Sequence, residues 1–274
     1  MSSIAGSCAL SAAEPAKDGV MNRRHELRDD PWERIKDLLP GRAGHVGVTA
    51  ADNRLFVEAV LYRYRTGIPW RDRPQRFGDF RVVHIRFSRW SQSGVWKRVF
   101  RGWAEEADNE WVMMDASLVR AHPHRAGALK KGPEVDQAIG RSRGGLSTKI
   151  HATVDALGNP TGFHLTPGQT HDLVGADVLL ADSSADAVLA DKADDAQKRL
   201  VEPLEKAGKQ IVIPSRSTHL IQRPLDRHRY RARHLIENFF AKLKQFRAIA
   251  TRYDKTARNF LGAIHLAASL VWLN

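Results

Sequence analysis

Cysteine is almost missing from this sequence of 274 residues, and so are long apolar runs. Because Cys8 is its single cysteine, the chain can form no disulfide framework, cysteine-based zinc site or iron–sulfur cluster, as is usual in a reducing cytoplasm. The longest apolar stretch, residues 260–273, is shorter than the roughly 20 residues that cross a bilayer. Residues 1–20 also lack the basic start of a secretory signal. We therefore expect a cytoplasmic protein with no membrane partner.

Acidic residues are the second shortage. Asp and Glu number 31 against 43 Lys and Arg, which leaves a formal net charge of +12 at pH 7. A surplus of this size favours nucleic acid as the partner, with an anionic membrane surface as the second candidate. The 42% share of hydrophobic residues is ordinary for a globular protein, and the length fits one or two domains.

The pattern of residues divides the chain into three parts. Residues 1–20 are small and polar and predict a disordered leader, with Met21 as an alternative start of translation. Residues 21–110 carry helical patterns alone, and residues 111–274 carry strands as well. We expect the middle part to be an all-helical DNA-binding domain and the last part to be the catalytic domain.

Basic and aromatic residues alternate in the middle part. Residues 63–101 contain eleven Arg or Lys and two Asp. Two short helices, near 80–91 and 94–107, predict a helix-turn-helix pair. The aromatic residues are expected in its core, and its arginines are expected to contact DNA phosphates, unless they form only a solvated outer face. The arginines predicted to bind DNA here are Arg81, Arg86 and Arg89.

Strands and helices alternate after residue 111. The predicted strands are 111–120, 149–155, 161–168, 187–192 and 209–215, and the predicted helices are 172–181, 194–207, 228–247 and 256–273. Three strands in succession, followed by strands that helices separate, require a mixed sheet: an antiparallel meander with parallel additions. This order predicts the α/β class, with a ribonuclease-H-like mixed sheet flanked by helices behind the small helical domain.

Three acidic residues lie where this fold concentrates catalytic carboxylates. Asp115 lies inside an apolar strand, where an acid is costly without a partner or a metal. Asp191 directly follows an apolar strand, and Glu237 lies on the predicted helix 228–247. Two divalent cations held by carboxylates stabilise the attacking and leaving oxygens of phosphodiester chemistry. We therefore predict Asp115, Asp191 and Glu237 as catalytic and metal-binding residues.

The helix that carries Glu237 has a distinctive polar face. Tyr230, Arg233, Glu237 and Lys244 fall within an arc of about 60° on an ideal helix, opposite its apolar residues. Such a stripe is consistent with a solvated face as well as with a site.

The spacing of these four residues resembles that of the DDE-type insertion-sequence transposases, in the branch marked by Y-(2)-R-(3)-E-(6)-K, the fifth insertion-sequence family. The resemblance spans about residues 21–273. Shorter stretches that also resemble the family are GIPWRD (67–72), DAS (115–117), GGLSTKIH (144–151), LTPGQTHD (165–172), LADK (189–192) and ATRYDKTARNF (250–260).

The resemblance implies a transposase that cuts DNA at inverted-repeat ends and joins the 3′-hydroxyl to target DNA. It implies two Mg²⁺ or Mn²⁺ ions on the three carboxylates, and phosphate contacts from Arg233 and Lys244. Tyr230 would stack on a base or sugar, unless it only packs. Arg141 and Arg143 lie in a Gly-rich stretch that is either a DNA-tracking arm or a surface loop. A homo-oligomer on double-stranded DNA, at the bacterial nucleoid, is expected.

One residue departs from the family pattern. Asp194 stands where the family has Tyr, and we expect it to act as a cap or first-turn charge while weakening activity through its proximity to the site. Two alternatives stay open: a metal-dependent hydrolase that cuts without joining, and a helix-turn-helix regulator with an inactive catalytic domain.

Overall fold

The computed structural model describes residues 25–42, 50–123, 137–181, 183–217 and 222–273. The predicted leader, residues 1–20, therefore lies outside the described residues, and the Gly-rich stretch lies partly outside them. Across the described helices, none is both long and apolar enough to cross a membrane.

Four helices form the front part of the chain. They are α1 (Asp29–Ile35), α2 (Asn53–Thr66), α3 (Phe80–Gln92) and α4 (Val95–Ala104). The Asp52 side chain caps α2 by accepting a hydrogen bond from the Leu55 amide at 2.8 Å. Gly94, with φ of 71°, makes the left-handed turn that joins α3 to α4. The predicted helix pair is thus present, with a two-residue turn.

Most aromatic residues of α3 and α4 are core residues, as predicted, although Phe80 at the start of α3 is only half-buried. Phe87, Trp90, Trp96 and Phe100 are all buried. Their helices pack on the last helix, α10 (Ala257–Trp272), so that one continuous apolar core joins the front part to the sheet. The approach is close, because a Cβ on Gly262 would lie 2.6 Å from Ser91 Oγ. The core has no break at residue 110, where we drew the domain boundary.

Among the described residues the sheet has seven strands, of which β1, β3 and β4 are long and the others have two or three residues. They are β1 (Trp111–Ala121), β2 (Gly140–Ser142), β3 (Gly145–Val154), β4 (Pro160–Pro167), β5 (Ala187–Leu189), β6 (Gln210–Val212) and β7 (Thr251–Arg252). Strand β3 pairs antiparallel with β1 and β4, whereas β5 pairs parallel with β1 and β6. This order confirms the predicted ribonuclease-H-like mixed sheet. The short strands β2 and β7 were not predicted.

The remaining helices cover the sheet. They are α5 (Leu173–Leu179), α6 (Glu202–Lys206), α7 (Arg227–Arg231), α8 (His234–Lys244) and α9 (Arg247–Ala250). The expectation of one helix over 228–247 is wrong, since the chain breaks it between α7 and α8. There the Arg233 amide donates to Tyr230 O and the Ile236 amide to Arg233 O, which are tighter i→i+3 bonds. Arg233 therefore sits at a junction and not within a regular helix.

Candidate active site

Asp115 lies in the middle of β1, the strand that links the antiparallel and parallel halves of the sheet. Its neighbours Met113 and Met114 are buried, so the strand itself is held by the core. Asp115 Oδ1 accepts a hydrogen bond from the next amide, that of Ala116, at 2.7 Å. Burial raises the pKa of the Asp115 carboxyl, while that amide and the guanidinium of Arg233 oppose the rise.

Asp191 lies just beyond β5, the parallel neighbour of β1. Since the carboxyl ends of parallel strands share one edge of the sheet, the residue after β5 comes close to Asp115. Asp191 Oδ1 accepts a hydrogen bond from the Lys192 amide at 2.7 Å and so caps the 3₁₀ turn Lys192–Asp194. Its other oxygen, Oδ2, faces Arg233 Nη2 at 3.9 Å.

Glu237 reaches the same place from α8. Its Oε1 accepts a hydrogen bond from Arg233 Nη1 at 3.0 Å, and its side chain is 58% exposed. Arg233 Nη2 donates to Asp115 Oδ2 at 2.8 Å. The three predicted carboxylates therefore converge on one guanidinium. Because both aspartate oxygens approach the same nitrogen, they are at most about 7 Å apart, within reach of a pair of cations about 3.5–4 Å apart.

Two further aspartates, Asp172 and Asp194, extend the acidic cluster; the sequence predicted Asp194 beside the site and did not predict Asp172. Asp172 pairs with Lys149, with Nζ and Oδ1 2.8 Å apart. Asp194 is only 3% exposed, and its Oδ1 has no hydrogen-bond partner among the described residues. Burial, then the charges of Asp172 and Asp115, raises the pKa of Asp194 to about 7. Asp172 is the last residue of LTPGQTHD (165–172), one of the stretches that resemble the family, and that position was the sequence signal for it.

Asp194 lies in the first turn of the 3₁₀ segment Lys192–Asp194, as expected, but the expectation that it caps the turn is wrong. The residue that caps the turn is Asp191, and the chain then bends inward and buries Asp194. The next residue, Asp195, is also buried: it pairs with Arg223 and accepts a hydrogen bond from the Arg216 amide at 2.7 Å. These two acids therefore differ in role, since Asp195 has a cation and Asp194 has other acids as neighbours.

Tyr230 and Lys244 lie on either side of this cluster. Tyr230 is half-buried, and burial together with the charge of Asp191 raises the pKa of its hydroxyl. Lys244 is exposed at the end of α8, seven residues or about two turns beyond Glu237. Of the predicted polar stripe, only Glu237 and Lys244 share one helix, because the chain breaks between α7 and α8, and Arg233 at that break points into the carboxylates.

The arginines predicted to bind DNA fall into two groups. Arg81 and Arg89 are exposed on α3, and Arg81 pairs with Asp79 at 3.0 Å. Arg86 is engaged within the protein: it hydrogen-bonds to Asn53, and its guanidinium lies 4.2 Å from the Phe56 ring centroid. It also covers the Trp90 ring, at 4.6 Å. The geometry therefore gives Arg86 a packing role, because the bundle core reaches its guanidinium.

Arg141 and Arg143 lie at the hairpin that joins β2 to β3. Arg141 belongs to β2 and is paired in register with Leu146, and Arg143 follows in the turn. Both side chains are exposed. The hairpin holds these cations on an ordered strand pair at the sheet edge.

The carboxylate cluster has the donor set that divalent cations require. All its donors are carboxylate oxygens, the ligands preferred by Mg²⁺ and Mn²⁺. In the part of the chain that the structure describes, however, no three acidic, His or Cys side chains are placed to hold a single ion. The Arg233 guanidinium occupies the space between Asp115 and Glu237.

Comparison with known proteins points to one family. Residues 107–272 match the family described as "Transposase DDE domain", and residues 27–100 match "Putative transposase of IS4/5 family". The chain is 45% identical over 113 residues to "Uncharacterized protein y4sN" of Sinorhizobium fredii, which covers 41% of this chain and 90% of that protein. It is 40% identical over 132 residues to "Putative transposase for insertion sequence element IS6501" of Brucella ovis, which covers 47% of this chain and 99% of that protein.

A solved structure is also similar to the chain, at low identity. The "Crystal structure of the Mos1 mariner paired end complex with Mn" is 14% identical and covers 89% of this chain and 84% of that chain. Its TM-score is 0.27.

Proposed function

The chain belongs to the DDE transposases, enzymes of DNA cleavage and strand transfer, and we propose that Asp115, Asp191 and Glu237 are the carboxylates that perform this chemistry here. One observation carries the assignment: side chains from β1, from the end of β5 and from α8 meet at a single guanidinium. Segments so far apart in sequence share this point only through the fold. If the polar face of α8 were only solvated, Asp115 and Asp191 would not face the same guanidinium as Glu237.

Divalent cations supply the chemistry that these residues lack. Two such ions, Mg²⁺ or Mn²⁺, stabilise the attacking and leaving oxygens of an in-line phosphoryl transfer when bound. Asp115, Asp191 and Glu237 would hold them. The rigid strand β1 and the capped turn after β5 fix the positions of the two aspartates. In cleavage the acceptor of the phosphoryl group is water, and in strand transfer it is the freed 3′-hydroxyl of the DNA.

DNA is the partner of the family, and the exposed cations support a path for it. Arg81 and Arg89 on α3, Arg141 and Arg143 at the β2–β3 hairpin and Lys244 on α8 would contact phosphates. Their contacts would be sensitive to salt, because each neutralised phosphate releases condensed counterions. We also propose that the protein binds inverted-repeat ends and target DNA. It would act as a homo-oligomer on that DNA, at the bacterial nucleoid.

Metal-dependent nicking of insertion-sequence end DNA tests the assignment. Asp115→Asn and Asp191→Asn keep the side-chain volume and remove the charge, so each should lower nicking by at least about 10³-fold. Asp177→Asn is the matched control, because Asp177 is an exposed acid that pairs with Arg199 on the far side of α5. Full nicking by either site variant would refute the assignment.

A strand-transfer assay separates the alternatives. A transposase joins the cut 3′-end to a second duplex, a hydrolase stops after cutting, and a regulator does neither. The same two variants should lose joining and cutting together, since one set of carboxylates performs both steps.

A further inference from the structure

We propose that Arg233 competes with the catalytic cations for their carboxylates, so that cations bind the site only weakly until this guanidinium leaves. The inference rests on the proposed function, because it concerns access to the same three carboxylates. It differs from a phosphate-binding role, since it assigns Arg233 a partner and an effect in the protein without DNA.

Arg233 contacts one particular oxygen of each aspartate. In Asp115 the Ala116 amide holds Oδ1, and in Asp191 the Lys192 amide holds Oδ1. The other oxygen of each aspartate is the one that faces Arg233 Nη2, at 2.8 and 3.9 Å. A cation bound by both aspartates would need these two Oδ2 atoms. Arg233 therefore lies against the oxygens that the metal requires.

The second support is electrostatic. A cation within a few Å of the guanidinium would be repelled by a like charge in a partly buried site, where the effective dielectric is well below that of water. Arg233 is 18% exposed at its side chain and the Asp115 side chain is 24% exposed, so solvent screens this repulsion only in part. Metal and guanidinium cannot hold the same oxygens together.

The third support is that Arg233 is placed to leave. It lies at the junction of α7 and α8, where the backbone makes i→i+3 bonds. Its Nε has no hydrogen-bond partner among the described residues, so the contacts that must break are two Nη hydrogen bonds and the longer ion pair with Asp191. A guanidinium binds phosphate in a bidentate way, so DNA offers it a replacement partner. Substrate that takes Arg233 would thus leave the carboxylates to the cations.

The test is Mn²⁺ binding by the full-length, metal-free protein, with free Mn²⁺ followed by electron paramagnetic resonance. Arg233→Gln should bind Mn²⁺ about tenfold more tightly than the parent chain, within the usual range of coupling between sites. Lys242→Gln is the matched control, because it removes the same charge from the exposed end of α8, and it should change the affinity less than about twofold. Equal changes in the two variants, or weaker binding by Arg233→Gln, would overturn the proposal.

Thermal melting gives a second readout. In chelator Arg233→Gln should melt below the parent, because three carboxylates lose their shared counter-ion, and Mn²⁺ should raise its melting temperature more than the parent's. Lower melting without any gain in Mn²⁺ affinity would mean that Arg233 is only structural. Arg233→Lys covers the case of poor folding: one ammonium cannot replace both Nη contacts, so a smaller gain in affinity is expected, and no gain would refute the competition.

One further variant separates this proposal from the proposed function. The double variant Asp115→Asn/Arg233→Gln should lose the tight Mn²⁺ binding. If it keeps that binding, the metal lies elsewhere and both proposals fail. If Asp115→Asn abolishes Mn²⁺ binding but Arg233→Gln leaves the affinity unchanged, the site assignment stands and the competition is refuted.

Discussion

The surface of α3 and the carboxylate cluster both contain an arginine that turns inward, and the two are held in different ways. Arg86 on α3 lies over the rings of Phe56 and Trp90 and hydrogen-bonds to Asn53. Arg233 instead lies among three carboxylates. A guanidinium that lies on aromatic rings is held by cation–π contacts and packing, for which a metal ion offers no substitute. A guanidinium that lies on carboxylates contacts oxygens that a divalent cation can also bind. Arg86 therefore has a packing role, whereas Arg233 is proposed to control the access of cations to the carboxylates.

The largest expected effect tests whether the two regions are one folding unit. Trp96→Ala should cost about 3–5 kcal/mol, because Trp96 is 1% exposed and its ring packs against α10. Calorimetry should show one transition, shifted to lower temperature for the whole chain, since one core joins both regions. Two separate transitions, with the one at higher temperature unchanged by the substitution, would show that the two regions are independent domains.

The next effect concerns pH and Asp194. Its pKa is about 7 in the folded protein against an ordinary value of 3.8, so the folded chain keeps a proton that the unfolded chain loses between these values. Stability should therefore fall as the pH rises from about 4 to 7 in metal-free buffer. Asp194→Asn lacks this loss and should be more stable than the parent at pH 8, by an amount on the order of 1–3 kcal/mol, with little difference at pH 4.

Urea unfolding in chelator at both pH values would measure this difference. Asp177→Asn, at an exposed acid, is the control for the general effect of removing a charge. A parent and Asp194→Asn that differ by the same amount at pH 4 and pH 8 would show that the buried carboxyl is not the titrating group.

A smaller effect separates the arginines of α3. Arg86→Ala should lower stability by about 1–2 kcal/mol, since two ring contacts and a hydrogen bond are lost. Arg89→Ala should leave stability unchanged within about 0.5 kcal/mol and should weaken DNA binding, lowering the slope of log affinity against log salt by about one. Fluorescence anisotropy on a duplex end, with a melting curve for each variant, measures both. A reversed pattern would contradict the packing role of Arg86.

Much of the site was predictable because its signals are local. An apolar strand that ends in an acid, such as residues 187–191, fixes a carboxylate at the sheet edge, and the parallel pairing of β5 with β1 brings Asp191 to Asp115. The strand order followed from the spacing of apolar runs and turns. The aromatic core of α3 and α4 followed from burial of the largest apolar side chains.

The remainder depends on contacts between distant residues. Arg233 and Asp115 are 118 positions apart, and the helical spacing that selected Arg233 could not show that it turns toward β1. The inward bend after Asp191 buries Asp194, although three charged residues in a run of five suggest an exposed turn. Arg86 has the same local pattern as Arg89, and only the packing of Phe56 against Trp90 distinguishes them.

Asp115, Asp191 and Glu237 are proposed to bind cations at one shared site. With hydrogen peroxide added as the oxidant and ascorbate as the reductant, Fe²⁺ bound in place of Mg²⁺ generates hydroxyl radicals that cut the nearby backbone, and the fragments can be mapped by mass spectrometry. Cuts are expected in three separate segments, within β1, just after β5 and in α8, and excess Mg²⁺ should suppress all three together. Cuts confined to one segment, or cuts that Mg²⁺ suppresses in one segment and not in the others, would contradict a shared site.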